Sequence, residues 1–398
     1  MKGFGSTSQG HPAAFWSLAF RPFFLAASLW AALALGLWIG LFVTGRTLPS
    51  RFDPLSWHIH EMLFGFVYAA IAAFMLTAIP NWTGRKPIQG ATLAALVAIW
   101  LLGRVISLLS ALVPLWWAMV VELAFPVVLF FLAAREIIAA QNWRNLMMPA
   151  PIAVLAIADL IMHLELAGIT LPVGLGWRLA MAAVLTLITA IGGRIVPAFT
   201  RNWLIKRGAT ALPSGHGLAD RIAVAALHTG LLGWAFLPAA RIVGSLLVFA
   251  ALLNLWRLAR WRGPATVSEP LLAILHVGYL WVVLGALLLG ASVLTVVVPE
   301  AAAIHAFTAG AIGTMVVAIM MRVSRGHTGR PLEADVTTML IEAAVVLAGA
   351  TRVAAAFADA SAMILLQISA LLWIAGFLVF ALTYGPMLVL PRTDERGA

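Results

Sequence analysis

The chain has 398 residues, 63% of them hydrophobic and only 10% charged, with no cysteine and a formal net charge of +10. A soluble chain carries about a quarter charged residues, so this composition excludes a soluble enzyme and requires a polytopic membrane protein. The missing cysteine excludes disulfides, thiolate ligands and iron–sulfur clusters, and the positive charge belongs to membrane topology rather than to nucleic-acid binding.

Apolar runs of roughly 20 residues, each long enough to cross about 30 Å of hydrocarbon, recur along the whole chain. They predict an all-α fold, a single transmembrane domain over residues 1–398 with twelve spans near 22–44, 57–79, 90–112, 115–138, 148–168, 176–197, 219–236, 239–259, 270–297, 301–322, 335–357 and 361–385. Lys and Arg gather in alternate loops: Arg85 and Lys86, Arg135 and Arg144, Arg201 with Lys206 and Arg207, Arg257 with Arg260 and Arg262, Arg325 and Arg330. The opposite loops hold only Arg46, Arg51 and Arg241. The positive-inside rule then puts both termini in the cytoplasm and His58, His60 and His305 near the outer face. No small-residue cleavage site follows the first span, so no signal peptide is expected.

Ionisable residues inside spans mark sites or buried pairs. Arg21 precedes Pro22 at the start of the first span. The second opens Trp57-His58-Ile59-His60-Glu61-Met62. Positions i and i+2 of a helix point to nearly opposite sides, so His58 and His60 cannot chelate one ion together. His58 is expected to share a face with Glu61 and Met62, as a copper ligand or as a helix-start residue capped by Asp53 or Glu61. Arg104 and Arg178 lie in the outer halves of the third and sixth spans, with haem propionates or protein carboxylates such as Glu122 and Glu165 as partners. Asp159 and His163 are one turn apart on the fifth, a local pair or a proton path. His228, beside Thr229, and His276, near Gly278 and Tyr279, are either metal ligands or bonded to a Thr or Tyr of a neighbouring helix. His305 opens the tenth span and His327 closes it at the inner interface. Glu342 on the eleventh is a proton-relay group or a carboxyl paired with Ser or Thr, and Arg352 is a third outer arginine. His11 and His216 belong to a tail and a loop.

Spans two, six and ten end alike. Ile79-Pro80-Asn81-Trp82-Thr83-Gly84-Arg85 and Gly326-His327-Thr328-Gly329-Arg330-Pro331 share Thr-Gly-Arg, and Val196-Pro197-Ala198-Phe199-Thr200-Arg201 closes the sixth. Aligning the first two puts His60 on His305 and Gly65 on Gly310, with Trp177 and Arg178 at the equivalent depth of the sixth. Three four-helix pseudo-repeats follow, roughly 15–145, 146–262 and 263–390. Four helices per repeat is even, so the repeats share one orientation. Two facing imidazoles are the axial set of a haem, and the two glycines would let a flat macrocycle approach the backbone. The alternative is a pair of interfacial histidines bonded to loop carbonyls or headgroups.

Arg21-Pro22-Phe23-Phe24-Leu25, the run from Trp57 through His60-Glu61-Met62 to Gly65, His276-Val277-Gly278-Tyr279 and Gly326-His327-Thr328-Gly329-Arg330 together resemble the NnrS family. The resemblance runs in order from the first to the tenth span. It implies a bacterial inner-membrane protein containing haem, of b-type, and copper, linked to denitrification and to nitrosative-stress defence. A weaker, architectural likeness is to the haem–copper oxidase core, subunit I, with axial histidines on the second and tenth helices. The departures are a sixth helix without His and a seventh with His228 alone. His58, His228 and His276 are then the candidates for a rebuilt copper site, and Glu61, Glu342, Tyr279 and His327 for proton relay or support.

Two classes of function are open. One is a haem- and copper-binding protein acting on nitric oxide, as a nitric oxide reductase-like oxidoreductase fed by a quinol or a cytochrome, or as a non-catalytic sensor or protective factor. The other is a polytopic transporter without redox chemistry. Membrane lipid surrounds either, and nucleic acid is a partner of neither.

Overall fold

The computed structural model describes residues 14–215 and 217–393, so His11 and His216 lie outside the described residues. Those residues form twelve long helices and no strand. In chain order they are α1 (Phe20–Thr44), α2 (Pro54–Thr83), α3 (Gly90–Leu112), α4 (Leu115–Ala139), α5 (Trp143–Leu166) and α6 (Leu175–Lys206). Then come α7 (Leu218–Phe236), α8 (Arg241–Ala259), α9 (Pro270–Leu294), α10 (Glu300–His327), α11 (Val336–Ala355) and α12 (Ala362–Val389).

Eleven of the twelve are long and apolar enough to cross a membrane. The exception is α7, which begins with Asp220 and Arg221. Asp220 is nonetheless buried, because Arg257 of α8 donates to it from Nε at 3.1 Å. The twelve helices match the twelve expected spans in order, and eleven of them qualify as spans. The helices α2, α6 and α10 run past the expected inner ends, since hydropathy marks the hydrocarbon boundary whereas the helix continues into the interface. Gly84 stops α2 with φ +68°, its N–H bonded to the Pro80 carbonyl at 2.8 Å.

Two compact units contain these helices. The first holds the described residues up to Ile169, Met320–Leu332 and the chain from Phe377 onward. In it α1 packs on α2, α3 on α4, and α4 on both α2 and α5. Arg21 closes the last helix of this unit, donating from Nη1 to the carbonyls of Leu388 at 2.9 Å and Leu390 at 2.7 Å. The second unit holds Thr170–Ile319 and Glu333–Gly376. Its strongest packing is α8 on α7 and α9, and it is knitted by a buried polar chain. Arg257 donates from Nη1 to the Tyr279 hydroxyl at 2.7 Å, which donates to Asn254 at 2.7 Å. Large apolar side chains such as Leu33, Phe131, Leu371 and Leu382 stay exposed, as lipid-facing residues must.

The helices α2 and α10 share a local feature. Each is interrupted by seven residues of π-helix, Glu61–Val67 directly after His60 and Ala306–Ile312 directly after His305. The features coincide in the register that aligns His60 with His305. A shorter segment, Ile188–Gly192, interrupts α6 well past Arg178, so the middle helix departs from the other two.

Asp53 starts α2. Its carboxylate accepts from the N–H groups of Leu55 at 2.9 Å and Ser56 at 3.1 Å, with Pro54 in the first turn. Burial pushes its carboxyl up, but bonds from Ser56 and Leu55 outweigh that and hold it below the usual range. A depressed carboxyl stabilises the fold above its unfolded pKa, near 3.9, and that gain is lost as pH falls through the lower folded value. Asp53→Ala is expected to cost about 1 kcal/mol, measured as a lower melting temperature at neutral pH, with the difference from wild type closing under strong acid.

Candidate metal and proton centre

The cap at Asp53 fixes the first turn of α2, and it places Trp57 and His60 on the buried side. His58, two residues before His60, is half-buried and stacks on Trp38 with ring centroids 4.2 Å apart. The two histidines therefore diverge, as the spacing predicts. Glu61 does not follow His58, however. Its carboxylate, at the residue where a π-helical segment begins, points inward, and its Oε1 lies 3.0 Å from His60 Nδ1. The expected His58–Glu61–Met62 face is thus not formed, and Glu61 belongs with His60.

Around His60 three further helices of the same unit deliver charged groups. Arg104 of α3 donates from Nη1 to both oxygens of Glu61, each at 2.7 Å. Trp30 of α1 donates to Glu61 Oε2 at 2.9 Å. Asp159 of α5 puts Oδ1 3.0 Å from His60 Nε2, and Glu122 of α4 puts Oε2 3.3 Å from the same nitrogen. His163, one turn after Asp159, faces in with Nε2 3.6 Å from Asp159 Oδ1 and 3.8 Å from Glu122 Oε2. Phe52 lies over the His60 ring with centroids 4.8 Å apart. None of His60, Glu61, Arg104, Glu122, Asp159 and His163 is more than 3% exposed.

The centre is short of positive charge and of hydrogen bonds. With neutral imidazoles, three carboxylates against one guanidinium (−3 + 1) leave it at −2. Both oxygens of Glu122, Asp159 Oδ2, both ring nitrogens of His163 and the Tyr68 hydroxyl are buried without a hydrogen-bond partner among the described residues. Buried polar atoms without partners each cost about 1–3 kcal/mol, so the cluster is built for something that completes it. Protons and a divalent cation both supply the missing charge. Two triads here have the spacing of metal ligands: His60 with Asp159 and His163, and His60 with Glu61 and Glu122.

Gly65 is not a cradle for a macrocycle. A Cβ there would strike the Trp30 indole and come within 2.9 Å of Glu61 Oε2. Gly310 is likewise covered, with the Trp281 ring 2.6 Å from where a Cβ would sit. Both glycines let an indole of the neighbouring helix lie against the π-helical turn. Gly65→Ala is accordingly expected to break the Trp30–Glu61 bond, read as a shift in the intrinsic tryptophan fluorescence.

The other expected site residues fall elsewhere. Arg104 spends its charge on Glu61, which leaves it unsuited to a haem propionate. Arg178 donates to the Val173 carbonyl and lies against Trp177 and Trp234, with its carbon 5.5 and 5.8 Å from their ring centres. Arg352 is half-buried in the last turn of α11 and has no hydrogen-bond or ion-pair partner among the described residues. His305 is half-buried, its Nδ1 2.7 Å from the Ala301 carbonyl. His228 Nε2 bonds Thr189 at 2.8 Å and His276 Nε2 bonds Thr200 at 2.9 Å. Those threonines are separated by about 16 Å of α6, so of the two alternatives the sequence offers for each ring, a metal ligand or a bond to a neighbouring helix, the structure places both histidines in interhelical His–Thr bonds. His228→Ala and His276→Ala are expected to keep the bound metal of the wild type, checked by elemental analysis. Tyr279 serves the Arg257 chain, His327 packs on Phe20 with ring centroids 5.5 Å apart, and Glu342 keeps one buried oxygen without a partner.

Sequence reasoning had Asp159 with His163 as a pair and Glu122 only as a partner for arginine. It missed their convergence on His60. The available signal was depth: acidic residues in the outer halves of consecutive spans need a common partner.

A many-helix membrane protein with a sealed imidazole–carboxylate centre is the class that fold and site define. Within it, the chain belongs to the NnrS family, whose profile, described as NnrS protein, matches residues 14–392. No curated protein matches the chain.

Proposed function

We propose that the protein serves the response to nitric oxide from the bacterial inner membrane, binding the gas at a resident cofactor and keeping it from cellular iron. The observation that carries this reading is the sealed centre around His60. Buried ionic groups are matched or bettered in stability by apolar side chains of similar volume, so six of them in one membrane-embedded cluster argue for chemistry rather than for architecture. Family membership supports the link to nitric oxide. The gas is small and uncharged, and it partitions into the hydrocarbon that surrounds the helices.

The family's haem and copper fit this chain unequally. His60 does not fit an axial haem role, because each ring nitrogen faces a carboxylate. His305 fits better. Donation from its Nδ1–H to Ala301 makes Nε2 the nitrogen with the lone pair, the tautomer a metal ligand needs. Its helical segment packs on α11, which carries the Arg352 guanidinium, without an ion-pair partner among the described residues and suited to a propionate. A haem held there would supply an iron that binds nitric oxide. The donors expected for copper, His58 with His228 and His276, do not fit one ion, since two of the three are parted along α6.

The test is an oxidised and a reduced visible spectrum of the purified protein, before and after nitric oxide. Haem bands that shift with the gas are the expected result. A colourless protein purified under conditions that retain haem would remove this reading and favour a carrier.

A further inference from the structure

We propose that His60, His163 and Asp159, with Glu122 opposite them, bind one divalent first-row metal ion of the iron(II) class within the first unit, separate from any haem. The proposal deepens the nitric oxide reading by naming a second metal, but metal content is read without the gas, so either can fail alone.

Spacing is the first argument. Ligands about 2.1 Å from one ion stand about 3.0–3.4 Å from their neighbours in octahedral or tetrahedral arrangements. His60 Nε2 lies 3.0 Å from Asp159 Oδ1 and 3.3 Å from Glu122 Oε2, and His163 Nε2 lies 3.6 and 3.8 Å from the same oxygens. The donor atoms of His60, Asp159 and His163 thus lie within 4.8 Å of one another, with Glu122 Oε2 beside the two imidazoles.

The second argument is the support behind His60. Its Nδ1 lies 3.0 Å from Glu61 Oε1, and Arg104 and Trp30 hold that carboxylate in place to receive the ring proton. A carboxylate behind the far nitrogen fixes the imidazole tautomer and turns the Nε2 lone pair to the front, the usual arrangement for a metal-bound histidine. That lone pair then faces two carboxylate oxygens, which is repulsive unless a cation stands between them. An imidazolium at His60 would answer this one repulsion. It would not explain His163, which is 1% exposed with neither nitrogen bonded, nor Glu122, whose two oxygens are both without a hydrogen bond.

Donor chemistry selects the ion. Two imidazoles and one carboxylate with room for further oxygen ligands is the set typical of non-haem iron(II). Copper(II) prefers a square arrangement richer in nitrogen, and copper(I) prefers sulfur, which this centre lacks. The −2 charge of the metal-free cluster is balanced by one divalent ion.

The experiment is elemental analysis of the full-length protein, purified in detergent without chelator, with haem iron measured separately and subtracted. About one non-haem iron per chain is expected, falling about tenfold or more in Asp159→Asn and in His163→Gln while haem stays constant. Unchanged non-haem iron in both variants, or copper lost in its place, would overturn the proposal. Should the variants fail to fold, the wild-type protein stripped with chelator is titrated with Mn2+ alone, read by electron paramagnetic resonance. One saturable site per chain is expected, and its absence overturns the assignment.

Discussion

Arg104→Met is expected to remove most of the folded protein, and Glu61→Gln added to it to bring much of it back. Among the described residues Arg104 is the one guanidinium that pairs with the centre's carboxylates, and both oxygens of Glu61 lie 2.7 Å from its Nη1. Removing one partner of a buried ion pair costs about 3–5 kcal/mol, because the other charge stays behind unpaired. That is a large share of the about 5–15 kcal/mol that separates most folded proteins from their unfolded chains. In this centre the loss is compounded, since the charge would deepen from −2 to −3. Neutralising Glu61 returns the charge to −2 and leaves an amide able to accept from Trp30. Arg104→Lys should do better than Met, because a single nitrogen carries both contacts and an ammonium can replace it. The readout is monodisperse protein recovered in detergent and its melting temperature. A stable Arg104→Met variant, or a double variant no better than the single one, would show that the pair is not what holds this cluster.

The second large effect separates two histidines that the sequence alignment treats as a pair. His305→Ala is expected to abolish the haem bands, and His60→Ala to leave them in place while removing the non-haem metal. The contrast rests on what each ring does. His305 uses Nδ1 on its own backbone at Ala301, whereas His60 has Glu61 behind it and Asp159 and Glu122 in front. No nitrogen of His60 is left to face a haem without displacing a carboxylate. Purified variants compared by visible spectrum and elemental analysis decide the matter. Equal loss of haem from both would restore the bis-histidine arrangement.

Much of this was legible in the chain. Twelve apolar segments of the right length fix the number and order of the helices, because the bilayer leaves the backbone few alternatives. The opposed directions of His58 and His60 follow from helical periodicity alone. The His228 and His276 bonds to threonine were among the foreseen outcomes. What the sequence did not reveal depends on departures from periodicity and on contacts between helices. Glu61 turns to His60 rather than to His58 because Arg104 and Trp30, from two other helices, bind its carboxylate, which helical periodicity does not anticipate. Gly65 and Gly310 read equally well as space for a macrocycle or for an indole, and Trp30 and Trp281 fill that space, each from the helix that precedes the glycine's own. Asp159 and Glu122 showed as separate costs, and only the packing of α4 against α2 and α5 makes them one site.

The measurement that bears most directly on this centre is an experimental density map of the protein purified without chelator and without added metal. A strong peak is expected about 2 Å from His60 Nε2, His163 Nε2 and Asp159 Oδ1, with His60 Nδ1 still bonded to Glu61. Continuous hydrogen bonds from the imidazoles to the carboxylates, with no peak among them, would contradict it and leave a proton in the metal's place.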